Sequence, residues 1–311
     1  MSKRVLVVSS AYMNIDLSID RVPEADETLT VGGGVAYSPG GCGANSAVTL
    51  CNMGAETVFC ARVGRDPHGE TLYDYYKDMG IDVGHLAIDR ENPTGCAVIM
   101  TDEGGAKRTL RYPGANCLLS ERDVDEAFLS CPDALFLQLD VGDAPILYAA
   151  DYAFRHEIPI FMDGGPARAG FPLEKLPPMK VFSANEEEIF AYTGILPQGA
   201  DSCLAATMEL LHRIKTEYVV IKLGDRGAFV CNGRRYKFLS AYSVKVADAA
   251  AAGDAFSAAL TFRLLENGED ITEAVRYANA VGALTVSRKG AAYSIPTAET
   301  VGSFLARHRA E

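Results

Sequence analysis

The sequence predicts an α/β fold, a doubly wound and mostly parallel sheet with helices on both faces, to which a smaller β-sheet is added. Short aliphatic runs alternate with helical segments over most of the 311 residues. The runs lack regular polar alternation, which is typical of strands covered on both faces. Neither a repeat nor a Pro/Gly/Ser linker divides the chain, so we expect one large domain over residues 1–311.

The predicted elements follow one another in βα order, which favours parallel strands joined by helical crossovers. Buried strands are predicted over 5–9, 58–63, 134–139, 158–162, 181–183 and 219–223. Helices are predicted over 44–53, 68–79, 144–156, 186–192 and 202–215, and the last third of the chain adds 253–266, 272–287 and 298–309.

Two segments, 15–38 and 94–112, interrupt this order. They contain strand-like runs, such as 29–31 and 95–100, and neither contains a good helix. We expect them to form a small β element at the edge of the main sheet, where it would act as a lid.

Composition limits the partners and the compartment. With 29 basic and 41 acidic residues the net charge is −12, which would repel a nucleic-acid backbone. No stretch reaches the roughly 18 apolar residues that span a bilayer. The eight cysteines include no Cys-x-x-Cys pair and are typical of a reducing compartment. We therefore expect a cytoplasmic protein with neither a nucleic-acid nor a membrane partner.

Several common chemistries lack their motifs. The chain has no Gly-Lys dipeptide of a P-loop, no His-Arg-Asp or Asp-Phe-Gly of protein kinases, no His-Glu-x-x-His and no Gly-x-Ser-x-Gly. Residues 41–46 only approximate the dinucleotide fingerprint, because Ser46 stands where the third glycine belongs. A Rossmann-type oxidoreductase is therefore disfavoured, and a lack of NAD(P)H binding would exclude it.

The strongest chemical signal is the segment 248–256, Asp-Ala-Ala-Ala-Ala-Gly-Asp-Ala-Phe, at the start of a long predicted helix. The first amides of a helix are unpaired and can hold an anion without a basic side chain. Asp254 would lie beside that anion, where it could accept a proton from an attacking hydroxyl. The alternative is an ordinary Ala-rich helix start with Asp254 as its N-terminal cap.

Two further segments suit polar ligands. Residues 40–45, Gly-Gly-Cys-Gly-Ala-Asn, allow close backbone approach, and Asn45 offers both a donor and an acceptor. Asn14 and Asp16 follow the first strand, at the end where open α/β sheets bind ligands. The alternatives are a plain strand-to-helix turn for the first segment and an Asx turn for the second.

Two later segments fit a nucleotide. Asn185 opens a predicted helix whose first turn includes Glu188, and the two could orient a hydrated Mg²⁺ beside phosphates. The same pattern is also typical of a helix N-cap with favourable acids. Residues 222–227, Lys-Leu-Gly-Asp-Arg-Gly, end a strand and could admit a flat ligand, or simply form a hairpin turn.

Taken in this order, these segments resemble the ribokinase-like (PfkB) family of sugar kinases, from Asn14 to Pro296. The most specific marker is Asp248 followed by Ala251-Ala252-Gly253-Asp254. The other matching motifs are Gly40-Gly41-x-Gly43-Ala44-Asn45, Asn185-x-x-Glu188, Leu223-Gly224-x-Arg226-Gly227 and Arg288-Lys289-Gly290-Ala291.

The resemblance implies a ribokinase-like fold and transfer of the γ-phosphoryl of ATP to a primary hydroxyl of a small sugar. It implies D-ribose as the leading substrate, with ribose 5-phosphate as the product. A nucleoside, another pentose or a hexose is the alternative substrate, and a non-catalytic sugar or nucleotide sensor is the alternative class. It also implies Mg²⁺, a monovalent cation, usually K⁺, and a homodimer formed through the lid.

The resemblance also assigns roles to single residues. Asp254 would be the base, and the amides of Ala252 and Gly253, with Ala251 ahead of them, would stabilise negative charge. The implied sugar-binding residues are Asn14, Asp16, Gly41, Cys42, Gly43, Asn45, Asp140 and Asp254. The implied ATP-binding residues are Asn185, Lys222, Leu223, Gly224, Gly227, Gly253 and Asn279. The implied Mg²⁺ residues are Asn185 and Glu188, acting through water. The implied K⁺ ligands are Asp248, Ala250, Thr285, Arg288, Gly290 and Ser294.

Three positions depart from the family pattern. Cys42 replaces the lysine of Gly-Gly-Lys-Gly-Ala-Asn, Asp140 replaces the glutamate of Gln-Leu-Glu, and Ala249 replaces a threonine. The first two changes affect the implied sugar site and leave the phosphoryl-transfer residues intact.

Overall fold

A computed structural model describes residues 2–168, 170–267 and 270–308. Its strands are β1 (Arg4–Val8), β2 (Tyr12–Ser18), β3 (Val35–Gly40), β4 (Glu56–Gly64), β5 (Leu86–Asp89), β6 (Cys96–Thr101), β7 (Lys107–Tyr112), β8 (Ala134–Gln138), β9 (Ile160–Asp163), β10 (Met179–Asn185), β11 (Thr216–Lys222), β12 (Ala228–Cys231) and β13 (Tyr236–Leu239). Its α-helices are α1 (Cys42–Met53), α2 (Pro67–Asp78), α3 (Glu121–Phe128), α4 (Asp143–Arg155), α5 (Glu186–Thr193), α6 (Ala200–Arg213), α7 (Ala252–Asn267), α8 (Ile271–Val286) and α9 (Ala298–His308).

In the part of the chain that the structure describes, nine strands form one sheet in the order β13-β12-β11-β10-β9-β8-β1-β4-β5. The seven strands from β11 to β5 pair in parallel, and the hairpin of β12 and β13 adds an antiparallel edge. The predicted α/β fold with a mostly parallel sheet is therefore confirmed.

Helices cover both faces of this sheet, because alternate strand side chains enter two separate cores. In β1, Val5 and Val7 belong to one core, which contains residues of α1, α2, α7, α8 and α9. Leu6 and Val8 belong to the other core, with residues of α3, α4, α5 and α6. All four side chains are fully buried, which explains why the sequence of β1 shows no polar alternation.

The remaining strands form a separate four-stranded sheet in the order β3-β2-β6-β7. It uses residues from both interrupting segments, although β2 begins earlier, at Tyr12, and β3 continues to Gly40. The predicted strand over 29–31 is wrong: these residues are irregular and make no ladder. Leu29 and Val31 are partly exposed and Thr30 is exposed, so no buried face drives pairing there.

Four elements were not predicted: β5, α3, β12 and β13. Strands β5 and β13 lie at the two edges of the sheet, where a short strand needs no long apolar run. Helix α3 begins with a capping box in which Ser120 and Asp123 bond each other's backbone, a signal that the hydrophobic pattern alone did not show. No helix of the described residues is long and apolar enough to cross a membrane.

Candidate active site

Polar residues lie at or just beyond the carboxyl ends of five neighbouring parallel strands. They are Ser9 after β1, Gln138 on β8, Asp163 on β9, Asn185 on β10 and Lys222 on β11. The strand register aligns Gln138 with Asp163, and Asn185 with Lys222. Open parallel sheets bind their ligands at this end, so the sheet presents a row of polar groups where a site is expected.

Helix α7 begins above this row and brings Asp254 into it. The preceding Ala251 has a φ of 64°, a left-handed conformation in which the chain turns sharply into the helix. The Asp254 carboxylate accepts hydrogen bonds from Asn45 Nδ2 at 2.8 Å and from Gln138 Nε2 at 3.1 Å. Asp254 is therefore held by side chains of two other elements, which the alternative of a simple N-cap does not require.

The environment of Asp254 favours its protonated form. Burial and the nearby Asp163 carboxylate raise the pKa of Asp254 to about 7, against an ordinary value of 3.8. The Asn45 hydrogen bond and the Lys222 ammonium oppose this rise. A carboxyl group with a pKa close to neutrality is suited to exchanging protons with a hydroxyl.

A buried ion pair lies beside Asp254. Lys222 Nζ is 2.7 Å from Asp163 Oδ2, with side-chain exposures of 11% and 2%. Burial lowers the pKa of Lys222, but Asp163 and Glu188 outweigh that effect and raise it to about 12. A Cβ atom built on Gly253 would be 3.5 Å from Lys222 Nζ. The anion site at the start of α7 therefore has a basic side chain, contrary to the expectation that backbone amides alone would serve it.

Asn185 and Glu188 form a capping box at the start of α5. Asn185 Oδ1 accepts from the Glu188 amide at 2.8 Å, and Glu188 Oε2 accepts from the Asn185 amide at 2.7 Å. The other Glu188 oxygen faces Gly165, where a Cβ would be 2.3 Å from it. Burial raises the pKa of Glu188, and the Lys222 ammonium opposes the rise. Asn185 and Glu188 therefore do form the helix N-cap that the sequence offered as an alternative. Glu188 also lies beside the buried ion pair.

The glycine-rich segment leads into α1 on the other side of Asp254. Gly41 precedes the helix with a φ of 97°, a conformation that favours glycine. At Gly43 an added Cβ would be 2.4 Å from the Ser9 Cβ, so α1 begins in direct contact with the end of β1. The Cys42 amide donates to Asp140 Oδ2 at 3.2 Å. These contacts place Cys42, Asn45 and Asp140 close to Asp254.

Asn14 and Asp16 lie within strand β2, so they do not form an Asx turn. Asn14 is 7% exposed, and a Cβ on Gly40 would overlap its amide group. Asp16 accepts from Ser38 Oγ at 3.4 Å. Both residues have the same parity along β2, so they share the face of the small sheet that carries Ser38.

A cleft of about 830 Å³ borders the start of α7, where Ala252 and Gly253 line it. Its lining includes the predicted nucleotide residues Asn185, Lys222, Gly224, Gly227, Gly253 and Asn279, whereas Leu223 is buried below it. The segment 222–227 also forms the predicted hairpin turn, between β11 and β12. Asn279 donates its amide to the carbonyls of Leu239 and Ser240, so only its oxygen is available to a ligand.

The six predicted K⁺ ligands lie around the start of α7 and the end of α8. Asp248 is already engaged: Lys107 Nζ is 2.5 Å from its Oδ1, which also accepts from the Ala250 amide. The Thr285 and Ser294 hydroxyls donate to carbonyls of their own turns. The two hydroxyl hydrogens are thus directed into their own turns, and the six residues could also offer main-chain oxygens as cation ligands.

The sequence motifs missed four residues of this region: Gln138, Asp163, Lys107 and Arg111. Gln138 and Asp163 each end a buried strand, and a polar residue at that point is a usable signal. Lys107 and Arg111 lie on the exposed strand β7, where basic residues are usual, and only the tertiary structure brings them to Asp248 and Asp140.

Comparisons with known proteins give matches over nearly the whole chain. The model of the pfkB family carbohydrate kinases matches residues 3–298. A ribokinase of Haemophilus influenzae is 30% identical over 307 residues, covering 98% of this chain and 99% of that protein. A deoxyribokinase of Salmonella typhi is 24% identical over 303 residues, covering 97% and 98% of the two chains.

The fold is also similar to that of a solved structure over nearly the whole chain. The Arabidopsis thaliana ribokinase determined in complex with ribose and ATP superposes with a TM-score of 0.89 at 27% identity. The match covers 98% of this chain and 99% of that one. Together with the family match over nearly the whole chain, it confirms the predicted resemblance, and the chain belongs to the pfkB family of carbohydrate kinases.

Proposed function

We propose that this carbohydrate kinase transfers the γ-phosphoryl group of ATP to the primary hydroxyl of D-ribose, forming ribose 5-phosphate. The observation that carries the proposal is Asp254, held between Asn45 and Gln138 at the start of α7 with a pKa near neutrality. Support for ribose comes from the ribokinase of Haemophilus influenzae and from the Arabidopsis thaliana ribokinase solved with ribose and ATP.

The catalytic roles follow from the two sides of Asp254. The sugar would lie toward Asn14, Asp16, Gly41, Cys42, Gly43, Asn45 and Asp140, and ATP would lie in the 830 Å³ cleft. Asp254 accepts the proton of the attacking hydroxyl, and the phosphoryl group passes over the first turn of α7. The amides of Ala252 and Gly253 and the Lys222 ammonium stabilise the charge that develops there.

Mg²⁺ is the metal ion that the proposed reaction would use, and Asn185 and Glu188 are the residues proposed to hold it. The Asn185 and Glu188 side chains offer oxygen ligands of the kind that Mg²⁺ binds, and one oxygen of each accepts from the other's backbone amide. This donor set fits an ion that keeps its water molecules and is held through them, beside the phosphates of ATP. When bound, Mg²⁺ would neutralise phosphate charge during transfer.

K⁺ fits the predicted ligands only in part. The Asp248 carboxylate is paired with the Lys107 ammonium, which already provides a monovalent positive charge at that point. Ala250, Thr285, Arg288, Gly290 and Ser294 would contribute main-chain oxygens. We therefore derive no catalytic step from K⁺ and propose its addition as a variable in the assay below.

We also propose that the small sheet is a lid and a dimer interface. Its outer face carries one cross-strand row, Tyr37–Ile15–Val98–Leu110. Tyr37 is 58% and Leu110 is 66% exposed, and Val35 and Tyr112 add further exposed apolar area. A second copy of this chain could cover that face.

The eight free cysteines support a cytoplasmic location.

A second candidate substrate is deoxyribose, a nucleoside or another small sugar. Cys42 and Asp140 are both smaller than the family residues that they replace, which leaves room in the pocket. The related deoxyribokinase of Salmonella typhi also favours this candidate.

The test is ADP release from ATP with ribose, deoxyribose, fructose or nucleosides, with and without K⁺. We expect ribose to have the highest kcat/KM, and a higher value for a nucleoside would replace ribose as the substrate. Asp254→Asn is the control, and its kcat should fall by at least about 10²-fold because it removes the base. A lack of ADP release with every one of these acceptors would indicate a non-catalytic nucleotide-binding protein, such as a sensor.

A further inference from the structure

The small sheet has a polar face as well as an apolar one. Strand register places Ser38, Asn14, Ala97 and Arg111 in one cross-strand row, directly opposite one another. Side chains opposite each other point to the same face of a sheet. Arg111 therefore shares its face with Asn14, which the sequence assigns to sugar binding.

Arg111 reaches across to the body of the protein. Its Nη1 is 4.0 Å from Asp140 Oδ2, and its guanidinium carbon is 5.0 Å from the centre of the Tyr12 ring. The Asp140 side chain is fully buried, whereas that of Arg111 is 40% exposed. A separation of 4.0 Å is too long for a hydrogen bond, so the guanidinium keeps donors that it can offer to a ligand.

Asp140 and Asn45 each offer a hydrogen-bond acceptor that complements the donors of Arg111. Asp140 Oδ2 accepts from Ser10 Oγ and the Cys42 amide, but Oδ1 is buried without a hydrogen-bond partner in the described residues. Asn45 Oδ1 is buried and equally without a partner there. Buried polar atoms are rarely left unpaired, so these two oxygens point to a ligand that donates hydrogen bonds.

The charges around this point select the class of ligand. Among the described residues, the carboxylates of Asp16 and Asp140, joined by Asp254 when it is ionised, outnumber the cation Arg111. Lys107 and Lys222 are each offset by a paired carboxylate, that of Asp248 and that of Asp163. The Cys42 thiol adds no positive charge. A carboxylate or phosphate on the sugar would therefore meet an acidic pocket, whereas neutral hydroxyls can both donate and accept.

We propose that Arg111 is a specificity-determining residue of the sugar site, where it donates to one hydroxyl of a neutral sugar while Asp140 accepts from a neighbouring one. Arg111 thus provides, from the small sheet, a cation in the pocket where Cys42 brings none. This inference rests on the proposed function and names a contact for its sugar.

The experiment measures kcat and both KM values for the unaltered chain and for Arg111→Ala, Arg111→Lys and Arg111→Ala/Cys42→Lys. In the double variant, a lysine at position 42 on α1 replaces the cation that is lost from β7. Arg122→Ala is the matched control, because Arg122 is 87% exposed on α3 and pairs only with Glu126 in the described part. Thermal melting of each variant checks its fold.

Arg111→Ala should raise the KM for the sugar about 10- to 100-fold, the range for a lost charge-assisted hydrogen bond, with KM for ATP changed less than about twofold. Arg111→Lys and the double variant should each recover part of that loss, and Arg122→Ala should match the unaltered chain. A sugar acid or sugar phosphate should be a poor substrate.

An unchanged sugar KM in Arg111→Ala, or an equal rise in the KM for ATP, would overturn the role of Arg111. The proposal also fails if neither lysine variant recovers any affinity, or if an anionic sugar is turned over as efficiently as the neutral one. If the unaltered chain turns over no sugar at all, the proposed function itself is wrong, so the two failures are distinguishable.

Discussion

Asp254 shows how strongly a residue's chemistry depends on its neighbours. The same carboxyl group has an ordinary pKa of 3.8, and burial beside Asp163 raises it to about 7. The amides of Asn45 and Gln138 donate to both of its oxygens, which fixes its direction. The proposed base is thus positioned by two elements besides its own helix, α1 and β8, and its pKa lies near neutrality.

The raised pKa predicts the pH dependence of the reaction. Only the carboxylate form of Asp254 can accept a proton, so kcat should fall as the pH falls through about 7. Above that value the residue is ionised and kcat should reach a plateau. The measurement is kcat against pH at saturating ATP and sugar, and a plateau that continues down to about pH 5 would contradict the assignment.

Lys222 is predicted to serve both stability and catalysis. Lys222→Met leaves Asp163 buried without its partner, so the free energy of unfolding should drop by about 3–5 kcal/mol. Asp163→Asn/Lys222→Met should regain most of this stability because residue 163 no longer carries a buried charge. The double variant should nevertheless keep a kcat at least about tenfold reduced, because the cation beside Gly253 is still missing.

Chemical denaturation and steady-state kinetics on the same samples separate the two roles. A double variant with restored stability and normal kcat would show that Lys222 is purely structural.

At the scale of elements, the contact between α1 and β1 sets the geometry of the sugar side. Gly43 allows it, because any side chain there would overlap Ser9 and the Ser10 amide. Since the same turn carries Cys42 and Asn45, displacement of the helix would move both away from Asp254.

Gly43→Ala should therefore destabilise the fold by about 1–3 kcal/mol, the usual cost of overpacking. The KM for the sugar should rise as α1 shifts. Gly302→Ala is the matched control, because no atom of a neighbouring described residue lies within 4 Å of its Cβ position. At this exposed position of helix α9 the change should stabilise by about 0.5–1 kcal/mol. Equal effects of the two substitutions in thermal unfolding would contradict this account.

At the scale of the whole molecule, the two faces of the small sheet have different surroundings. Its polar face meets the body of the protein through Lys107–Asp248 and Arg111–Asp140. Its apolar face is exposed in the single chain, although apolar patches of this kind usually mark an interface. The sheet is therefore suited to join sugar binding with self-association.

Leu110→Glu should convert the proposed dimer into a monomer, because it places a charge at the most exposed apolar side chain of the cross-strand row on the apolar face. Leu129→Glu is the control, since Leu129 is 78% exposed at the end of α3, away from that sheet. Light scattering after size exclusion gives the mass of each. A monomeric unaltered chain, or a Leu110→Glu variant that remains dimeric, would contradict the proposed interface.

Much of the fold could be predicted from local sequence. The continuous apolar runs of β1 and β8 indicated buried parallel strands, and the small residues before Asp254 indicated a helix start open to an anion. These features depend on neighbouring residues only, so the sequence determines them directly. The motifs at Asn45, Asn185 and Asp254 also indicated the family, which the comparison confirmed.

The tertiary structure decided which side chains meet. Asn45 and Asp254 are 209 positions apart, and Gln138 and Asp254 are 116 apart, yet each pair is hydrogen bonded. The pairing of Lys222 with Asp163 and the approach of Arg111 to Asp140 depend on strand order and on the register of the small sheet. No local pattern encodes such contacts, because they arise only when distant strands are placed side by side. The sequence by itself thus determined the elements and the proposed type of chemistry, while the fold determined the pKa of Asp254 and the charges around it.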